Sequence, residues 1–414
     1  MNVDTLITGI TQLVTAQGPA VRHGTAMGDL LRIDDAAIAI ANGAFVWIGK
    51  HQHWQGHAAS TVHLGGRAVL PGLIDPHTHA IWAGDRLGDF ERRSAGATYE
   101  QILAAGGGIR STIQATQRAS IDQLVTLARP RLLALLHSGA TVVEVKSGYG
   151  FTPQAERNML CAIRDLQQQL PLRLLPTLLI HIPPAAVGSR ADYVAQVCAE
   201  LIPQVAAERL ATAVDIFVDQ EAWHPREAET ILTCARANGL AIKMHTEQFH
   251  SIGGLELALR LRALSVDHLE ACHPSQYAQL AASDTIATLL PGVSLHLGIP
   301  CAPGRRLIDA GAAVAIATDL NPGSSPLFST AAALALATRL NGLTAHEALV
   351  AGTLNAACAL GLSNAGRIEV GLPADMVILK SNDWRDLVYT LGANPVQEVW
   401  IAGAKATTSP QGCE

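Results

Sequence analysis

Eight short apolar runs recur through the middle of the chain, and segments with a helical pattern separate them. Most of the runs are continuously apolar, as expected for strands that are covered on both faces of a parallel sheet. Strands that alternate with helices are typical of βα units, and eight such units predict an α/β fold of the TIM-type (β/α)8 barrel class. An open sheet of six or seven strands is the alternative, since short apolar runs do not separate strands from buried helices. The runs span residues 69–74, 141–145, 172–180, 214–218, 240–244, 264–266, 286–290 and 313–317.

The two ends of the chain share a different pattern, of short apolar strands with glycines between them. Residues 37–40 and 44–49 show it near the N-terminus, and residues 374–379 and 396–403 show it near the C-terminus. Because the termini of one chain often lie close together, we expect both ends to form one small flanking β-sandwich domain. The predicted boundaries are residues 1–68 plus 366–414 for this domain, and 69–365 for the barrel.

Composition excludes several classes of function. Hydrophobic residues make up 49% of the 414 residues and charged residues 15%, which argues against a disordered chain. The net charge of −6 and the 4% of aromatic residues argue against a nucleic-acid partner. No apolar run is long enough for a membrane span, and the seven scattered cysteines include no C-x-x-C pair. We therefore expect a cytoplasmic protein with a small-molecule partner and neither a membrane nor a nucleic acid as partner.

Polar residues of metal-binding type follow the ends of most of the apolar runs. Asp75 to His79 follow the first run, and His181 follows the third; His245 follows the fifth. Asp267-His268 and Asp319 follow the sixth and eighth runs. In a (β/α)8 barrel the carboxyl ends of all strands meet at one rim, where active sites lie. The sequence thus predicts a polar site at this rim, above an apolar interior.

His77 and His79 are the strongest local indication of a metal site. On an extended chain, residues i and i+2 point to the same face, so both imidazoles can reach one ion. Neutral imidazole suits zinc and iron, and His245 and Asp319 are the natural candidates for further ligands. Two surface histidines in a turn are the alternative interpretation.

A cation bound by these residues would lower the pKa of water toward ~7 and polarise a carbonyl oxygen. Asp319 could both bind the metal and accept the proton of the water. His268 could hydrogen-bond the carbonyl oxygen or the attacking water. The alternatives are a structural histidine at 268 and a helix N-cap at 319.

Two longer motifs carry a resemblance to a known family. Residues 71–79 (PGLIDPHTH) and 371–379 (GLPADMVIL) resemble the opening and closing stretches of the amidohydrolase superfamily. Within that superfamily the chain resembles the imidazolonepropionase family over nearly its whole length. The specific segments are 84–86 with 106–109, 144–150, 245–248 with 253–254, and 317–324.

The resemblance implies a metal-bearing barrel that hydrolyses 4-imidazolone-5-propanoate to N-formimidoyl-L-glutamate in histidine degradation. It implies one divalent zinc or an iron ion per chain, and a homodimer. The metal ligands would be His77, His79, His245 and Asp319. The catalytic side chains would be His268 and Asp319. The substrate contacts would be Arg86, Tyr149, His181, Gln248, Asn321, Gly323 and Ser324. Another amidohydrolase, such as a cyclic-base deaminase, and a non-catalytic metal-binding barrel are the alternatives.

Four of these substrate contacts have independent physical support. A guanidinium fork binds a carboxylate bidentately, so Arg86 could anchor a propionate tail. Tyr149 lies in a Gly-Tyr-Gly loop, where the backbone can approach a ligand closely. Gln248 offers both a donor and an acceptor to a ring with N–H and C=O edges. The chain at His181 is extended because two prolines follow at 183 and 184. A solvated or purely structural role is the alternative for each.

One segment departs from the family pattern. Residues 293–301 (VSLHLGIPC) stand where an aromatic-rich stretch is expected. His296 is interpreted as an ordinary loop histidine, or else as a polar contact that compensates for the missing aromatic wall. Lys146 could pair with a carboxylate at the rim or with Glu144 on its own strand, and it is left out of the predicted site.

Overall fold

The computed structural model of the protein describes residues 1–98, 101, 105–184 and 189–406. Its strands form two sheets, one mostly antiparallel and one parallel. The strands are β1 (Asn2–Thr15), β2 (Leu31–Ala41), β3 (Ala44–Lys50), β4 (His57–Pro71), β5 (Leu73–Asp75), β6 (Ala140–Lys146), β7 (Arg173–Ile180), β8 (Ala213–Val218), β9 (Ala241–Ile242), β10 (Met244–Thr246), β11 (Ser265–His268), β12 (Ile286–Leu289), β13 (Val314–Ile316), β14 (Met376–Leu379), β15 (Val396–Ile401) and β16 (Ala404–Lys405).

Helices connect the strands of the parallel sheet. Several begin at an N-cap whose side chain accepts a backbone N–H, as Ser120 does from Gln123 and Thr344 from Glu347. The α-helices are α1 (Leu87–Ser94), α2 (Ile109–Arg118), α3 (Ile121–His137), α4 (Pro153–Gln169), α5 (Arg190–Gln196), α6 (Ile202–Ala207), α7 (Pro225–Ala237), α8 (Gly254–Arg260), α9 (Pro274–Ala281), α10 (Pro291–Leu297), α11 (Gly304–Asp309), α12 (Thr330–Leu340), α13 (Ala345–Ala351), α14 (Leu354–Ala359) and α15 (Asp386–Tyr389). The described residues also form a π-helical turn (Val197–Leu201) and two 3₁₀ turns (Gly24–Gly28 and His51–His53).

The parallel sheet is a barrel of eight strand positions, in which β9 and β10 together form the fifth. Neighbours follow chain order from β5 to β13, and all the pairings along this path are parallel. The first and last strands meet just beyond their ends, where Asp319 N donates to His77 O (3.0 Å) and His79 N donates to Leu320 O (2.9 Å). The predicted barrel is therefore confirmed, and the open sheet is excluded.

The flanking sheet is built from both ends of the chain, as predicted. Its seven described strands lie in the order β16-β15-β14-β4-β1-β2-β3, and among these the β1–β4 pair alone is parallel. Ile7, Ile38, Phe45 and Met376 belong to a buried cluster within this sheet, so it has a core of its own. Residues 407–414, which the predicted domain includes, lie outside the described residues, and so does Cys413.

Gly72 marks the passage from the flanking sheet into the barrel. β4 pairs with β14 up to Pro71, and β5 begins at Leu73, so the apolar run 69–74 is shared between the two sheets. A Cβ at Gly72 would lie 2.3 Å from Thr141 Oγ1, closer than any side chain could be accommodated. The run looks uniform in sequence because both of its halves are buried.

The fold places the functional candidates at one end of the barrel. His245 lies within β10, His268 is the last residue of β11, and Asp319 follows β13. Below this rim the strand residues are almost entirely buried. Among the described helices, none is both long and apolar enough to cross a lipid bilayer.

Candidate active site

Three imidazoles and one carboxylate converge at the carboxyl end of the barrel. Asp319 Oδ1 lies 3.3 Å from His77 Nε2 and 3.2 Å from His79 Nε2. His245 Nε2 lies 3.4 Å from His79 Nε2. All four side chains are buried, with at most 4% exposed. The four residues that were predicted to share a site therefore lie together.

The arrangement fits a single divalent metal ion. His77 Nε2 and Asp319 Oδ1 are buried without a hydrogen-bond partner in the described part of the chain, which is costly for polar atoms. Ligand atoms about 2.1 Å from a tetrahedral ion lie about 3.4 Å apart, close to the 3.3 Å, 3.2 Å and 3.4 Å separations given above for three of the pairs. Imidazole nitrogen with carboxylate oxygen is also a donor set that zinc and similar divalent ions prefer.

The backbone at this cluster is locally strained. Asp319 has φ of 50° and His268 has φ of 92°, a region that residues other than glycine rarely occupy. The Asp319 turn is held by Asn321, whose Nδ2 donates to Asp319 O (2.7 Å) and to Asp319 Oδ2 (2.9 Å). Strain of this kind persists where surrounding contacts over-determine it, and it is concentrated at functional sites.

Two buried carboxylates face the histidines from inside the barrel. Asp267 Oδ2 lies 2.6 Å from His77 Nδ1, and Asp215 Oδ2 lies 3.0 Å from His245 Nδ1. A carboxylate at Nδ1 holds the proton on that nitrogen and leaves the Nε2 lone pair for a ligand. Asp215 and Asp267 thus orient two of the three imidazoles toward the cluster.

Lysines neutralise these carboxylates in the barrel interior. Lys146 Nζ lies 2.6 Å from Asp215 Oδ2 and 2.7 Å from Glu144 Oε2, while Lys243 Nζ lies 2.8 Å from Glu144 Oε2 and 3.6 Å from Asp267 Oδ2. Burial alone would lower the pKa of Lys146, but the three carboxylates raise it above its usual value. Lys146, Lys243, Glu144, Asp215 and Asp267 are called the interior charge network below.

Burial keeps two of the clustered histidines in the neutral form that a metal requires. Desolvation lowers the pKa of His79 and lowers that of His245 well below the usual range, although nearby carboxylates oppose the shift. The surroundings of Asp319 instead favour its charged form. Burial would raise the pKa of its carboxyl group, but His77 and His79 hold it well below the usual range.

Arg86 lies beside the turn that carries three other predicted contacts. Its guanidinium contacts Asp89, and its Nη1 lies 3.4 Å from Thr112 Oγ1. A Cβ at Gly323 would lie 3.4 Å from Arg86 Nη1. Asn321 Oδ1 accepts the N–H groups of Gly323 (2.8 Å) and Ser324 (2.8 Å), which fixes the turn. Arg86, Asn321, Gly323 and Ser324 are thus close together, next to Asp319.

Tyr149 and His181 pack against the histidine cluster from another side. The His181 ring stacks on His79 with centroids 5.7 Å apart, and Tyr149 lies 6.0 Å from His79 and 5.6 Å from His181. Burial is the main cause that lowers the pKa of His181 to about 3, so its imidazole is neutral. Burial, and then the charge of Asp319, raise the pKa of Tyr149, whose hydroxyl group stays protonated.

His268 belongs to the same cluster, whereas Gln248 lies at its edge. The His268 ring centroid is 5.3 Å from that of His245 and 5.8 Å from that of His77. Gln248 follows β10 in a partly exposed position, one residue before Phe249, whose N–H donates to Asp219. The structure gives no contact that joins Gln248 to the clustered histidines within the described residues.

The interior charge network was missed at the sequence level. Its members lie within or beside runs that were interpreted as apolar strands, as Lys243 does between β9 and β10. A lone charge in a buried strand is costly unless it is paired, so opposite charges on neighbouring strands could have been matched with each other. Lys146, left out of the site, pairs both with Glu144 on its own strand and with Asp215.

The segment that departs from the family pattern is helical where a loop was expected. Residues 291–297 form α10, which begins at Pro291 and ends before Gly298 in the left-handed region. His296 stacks on Phe90 of α1 with centroids 5.9 Å apart, and Arg93 Nη2 lies 2.5 Å from His296 Nε2. The interpretation of His296 as an ordinary loop histidine is therefore wrong, because His296 lies in α10 and contacts two residues of α1.

Comparison with known proteins agrees with this geometry. The model of the amidohydrolase family matches residues 68–405. The imidazolonepropionases of Deinococcus deserti and Deinococcus radiodurans are each 59% identical over 403 residues, covering 97% of this chain and 99% of each relative. The structure of an adenosine deaminase from Xanthomonas campestris with bound zinc superposes with a TM-score of 0.73 at 21% identity, covering 98% of this chain and 93% of that one. At that identity the superposition supports the fold alone. The chain belongs to the amidohydrolase family and, within it, to the imidazolonepropionases.

Proposed function

We propose that the protein hydrolyses 4-imidazolone-5-propanoate to N-formimidoyl-L-glutamate, a step of histidine degradation. One observation carries the proposal: a buried cluster of three imidazoles and a carboxylate lies beside an arginine that can hold the propionate of the substrate. The identity with imidazolonepropionases over nearly the whole chain supports the same reaction.

His77, His79, His245 and Asp319 would hold one divalent ion, zinc or iron. Such an ion lowers the pKa of water and polarises a carbonyl oxygen. The oxygen of water bonds to the ring carbonyl carbon, and the bond from that carbon to the ring nitrogen breaks. The ring nitrogen takes up a proton, and the former carbonyl becomes the new carboxylate. One water is consumed, and the ring opens.

The side chains around the cluster would accept the proton of water and stabilise the carbonyl oxygen. Asp319 would accept the proton of the attacking water, because its carboxyl group is ionised and lies among the imidazoles. His268 would hydrogen-bond the carbonyl oxygen or the water from the same rim. Preorganised groups of this kind stabilise the charge that develops at a carbonyl oxygen.

The substrate would lie between the Arg86 side of the site and the side of Tyr149 and His181. Arg86 would bind the propionate, with Asn321, Gly323 and Ser324 lining the adjacent turn. Tyr149 would donate its hydroxyl hydrogen, and the neutral His181 and Gln248 would contact the ring edges. From the relationship to the family, we also propose that the protein is a cytoplasmic homodimer.

A product assay tests the proposal directly. Purified protein loaded with zinc or ferrous ion is given imidazolone propionate, and the product is identified by mass spectrometry. We expect formiminoglutamate, with a mass gain of one water. Ammonia release from a cyclic base, without formiminoglutamate, would support the deaminase alternative instead.

Substitution of Arg86 separates the proposed substrate from uncharged heterocycles. In Arg86→Ala we expect the KM for imidazolone propionate to rise about 10- to 100-fold, since a bidentate charge-assisted pair is lost. For a heterocyclic base without a carboxylate, any kcat/KM that the wild type shows should be the same in Arg86→Ala. Arg92→Ala, at an exposed position on α1, the helix that begins directly after Arg86, is the matched control and should leave KM unchanged. An unaltered KM in Arg86→Ala would contradict the role of Arg86 as the anchor.

A further inference from the structure

Glu270 is a buried carboxylate that the proposed reaction does not use. Its side chain is 4% exposed, and Oε2 lies 3.4 Å from His268 Nδ1. Both of its oxygens lack a hydrogen-bond partner among the described residues, and so does His268 Nδ1. A buried ionisable group without partners is costly, so a function that needs it there is expected.

The chain bends sharply to bring this carboxylate back onto His268. His268 and Leu269 have φ of 92° and 71°, two consecutive residues in the left-handed region. Leu269 N donates to Thr246 O (3.3 Å) and Ala271 N donates to Glu247 O (2.7 Å), so the bend is fastened to the end of β10. The strained turn thus places a residue two positions later against the ring of His268.

Glu270 differs from the two carboxylates that face the other histidines. Asp267 and Asp215 each lie near a lysine of the interior charge network. In the described ranges, the only ion-pair contact of Glu270 is with His268. Among the described residues, Glu270 therefore contacts one imidazole and no lysine of the interior charge network.

We propose that Glu270 is a positioning residue that acts through His268, a proposal that depends on the function proposed above. Its carboxylate can accept a hydrogen bond from Nδ1–H of His268, which fixes the tautomer in which Nε2 carries the lone pair. Nε2 can then accept a hydrogen bond from the attacking water. Hydrogen bonds of this type are often long in the free enzyme and shorten when substrate binds, which agrees with the 3.4 Å separation.

A double-mutant cycle tests this role, with kcat, KM and metal content measured for each variant. In Glu270→Gln we expect kcat to fall about 10- to 100-fold, because an amide can donate to Nδ1 and favour the wrong tautomer. KM and metal content should stay within twofold of the wild type. In a His268→Ala background the same change should alter kcat less than twofold. Glu229→Gln, at an exposed ion pair on α7, is the matched control.

A spectroscopic readout keeps the test independent of the substrate. NMR of protein labelled with ¹⁵N-histidine should show the Nδ1–H tautomer of His268 in the wild type and its loss in Glu270→Gln. Glu270→Asp keeps the charge with a shorter reach, and we expect an intermediate kcat from it. Independent, multiplicative losses in the double variant, or an unchanged tautomer in Glu270→Gln, would overturn the proposal. An inactive wild type would instead contradict the proposed function, and the NMR result would still decide the role of Glu270.

Discussion

Replacement of Asp319 by asparagine is expected to lower kcat by about 10³-fold or more. The change keeps the size of the side chain but removes the negative charge that lies 3.3 Å from His77 Nε2 and 3.2 Å from His79 Nε2. It also removes a group that would accept the proton of water, a contribution typically of about 10²- to 10⁴-fold. Steady-state kinetics with formiminoglutamate as the measured product gives the loss, and elemental analysis gives the metal content of the variant.

Asp309→Asn is the matched control for this experiment. Asp309 is exposed on α11 and pairs with Arg305, so its neutralisation should change kcat less than twofold. If Asp319→Asn kept kcat within tenfold of the wild type with a normal metal content, Asp319 would not be the proton acceptor.

Replacement of Lys146 by methionine is expected to cause a large loss of stability. Lys146 is fully buried, and its Nζ lies within 2.7 Å of both Glu144 and Asp215. Methionine fills a similar space but leaves three carboxylates of the interior charge network to Lys243 alone. Breaking a buried ion pair by removing one partner costs about 3–5 kcal/mol. The midpoint of urea unfolding, followed by circular dichroism, measures the effect.

An exposed lysine provides the comparison for Lys146. Lys405 pairs with Glu398 at the surface, and Lys405→Met should change the free energy of unfolding by less than about 1 kcal/mol. Equal midpoints for the two variants would show that the interior charge network does not depend on the charge of Lys146.

The barrel could be predicted from the sequence because its strands are buried on both faces. The runs 141–145 and 214–218 lie within β6 and β8. The break between the two sheets at Gly72 could not be predicted, because the residues on both sides of it are apolar. Histidine spacing brought His77 and His79 together, since alternate residues share a face. These inferences needed only local pattern and one rule about where barrel strands end.

The parts that could not be predicted depend on contacts between distant strands. Nothing near Asp267 in the sequence indicates that it faces His77, 190 positions away. The approach of Glu270 to His268 requires positive φ at both His268 and Leu269. Residues of these types rarely adopt positive φ, so the sequence does not indicate this contact. The helix at 291–297 could not be distinguished from a loop because it is short and its first two residues are a proline and a glycine.

Diffraction from crystals of the zinc-loaded protein at the zinc absorption edge tests the central claim most directly. We predict one anomalous peak per chain, about 2.0–2.2 Å from His77 Nε2, His79 Nε2, His245 Nε2 and Asp319 Oδ1. Activity should vanish on chelation and return with one equivalent of metal. A peak bound elsewhere, or full activity in protein shown to be free of metal, would contradict the account.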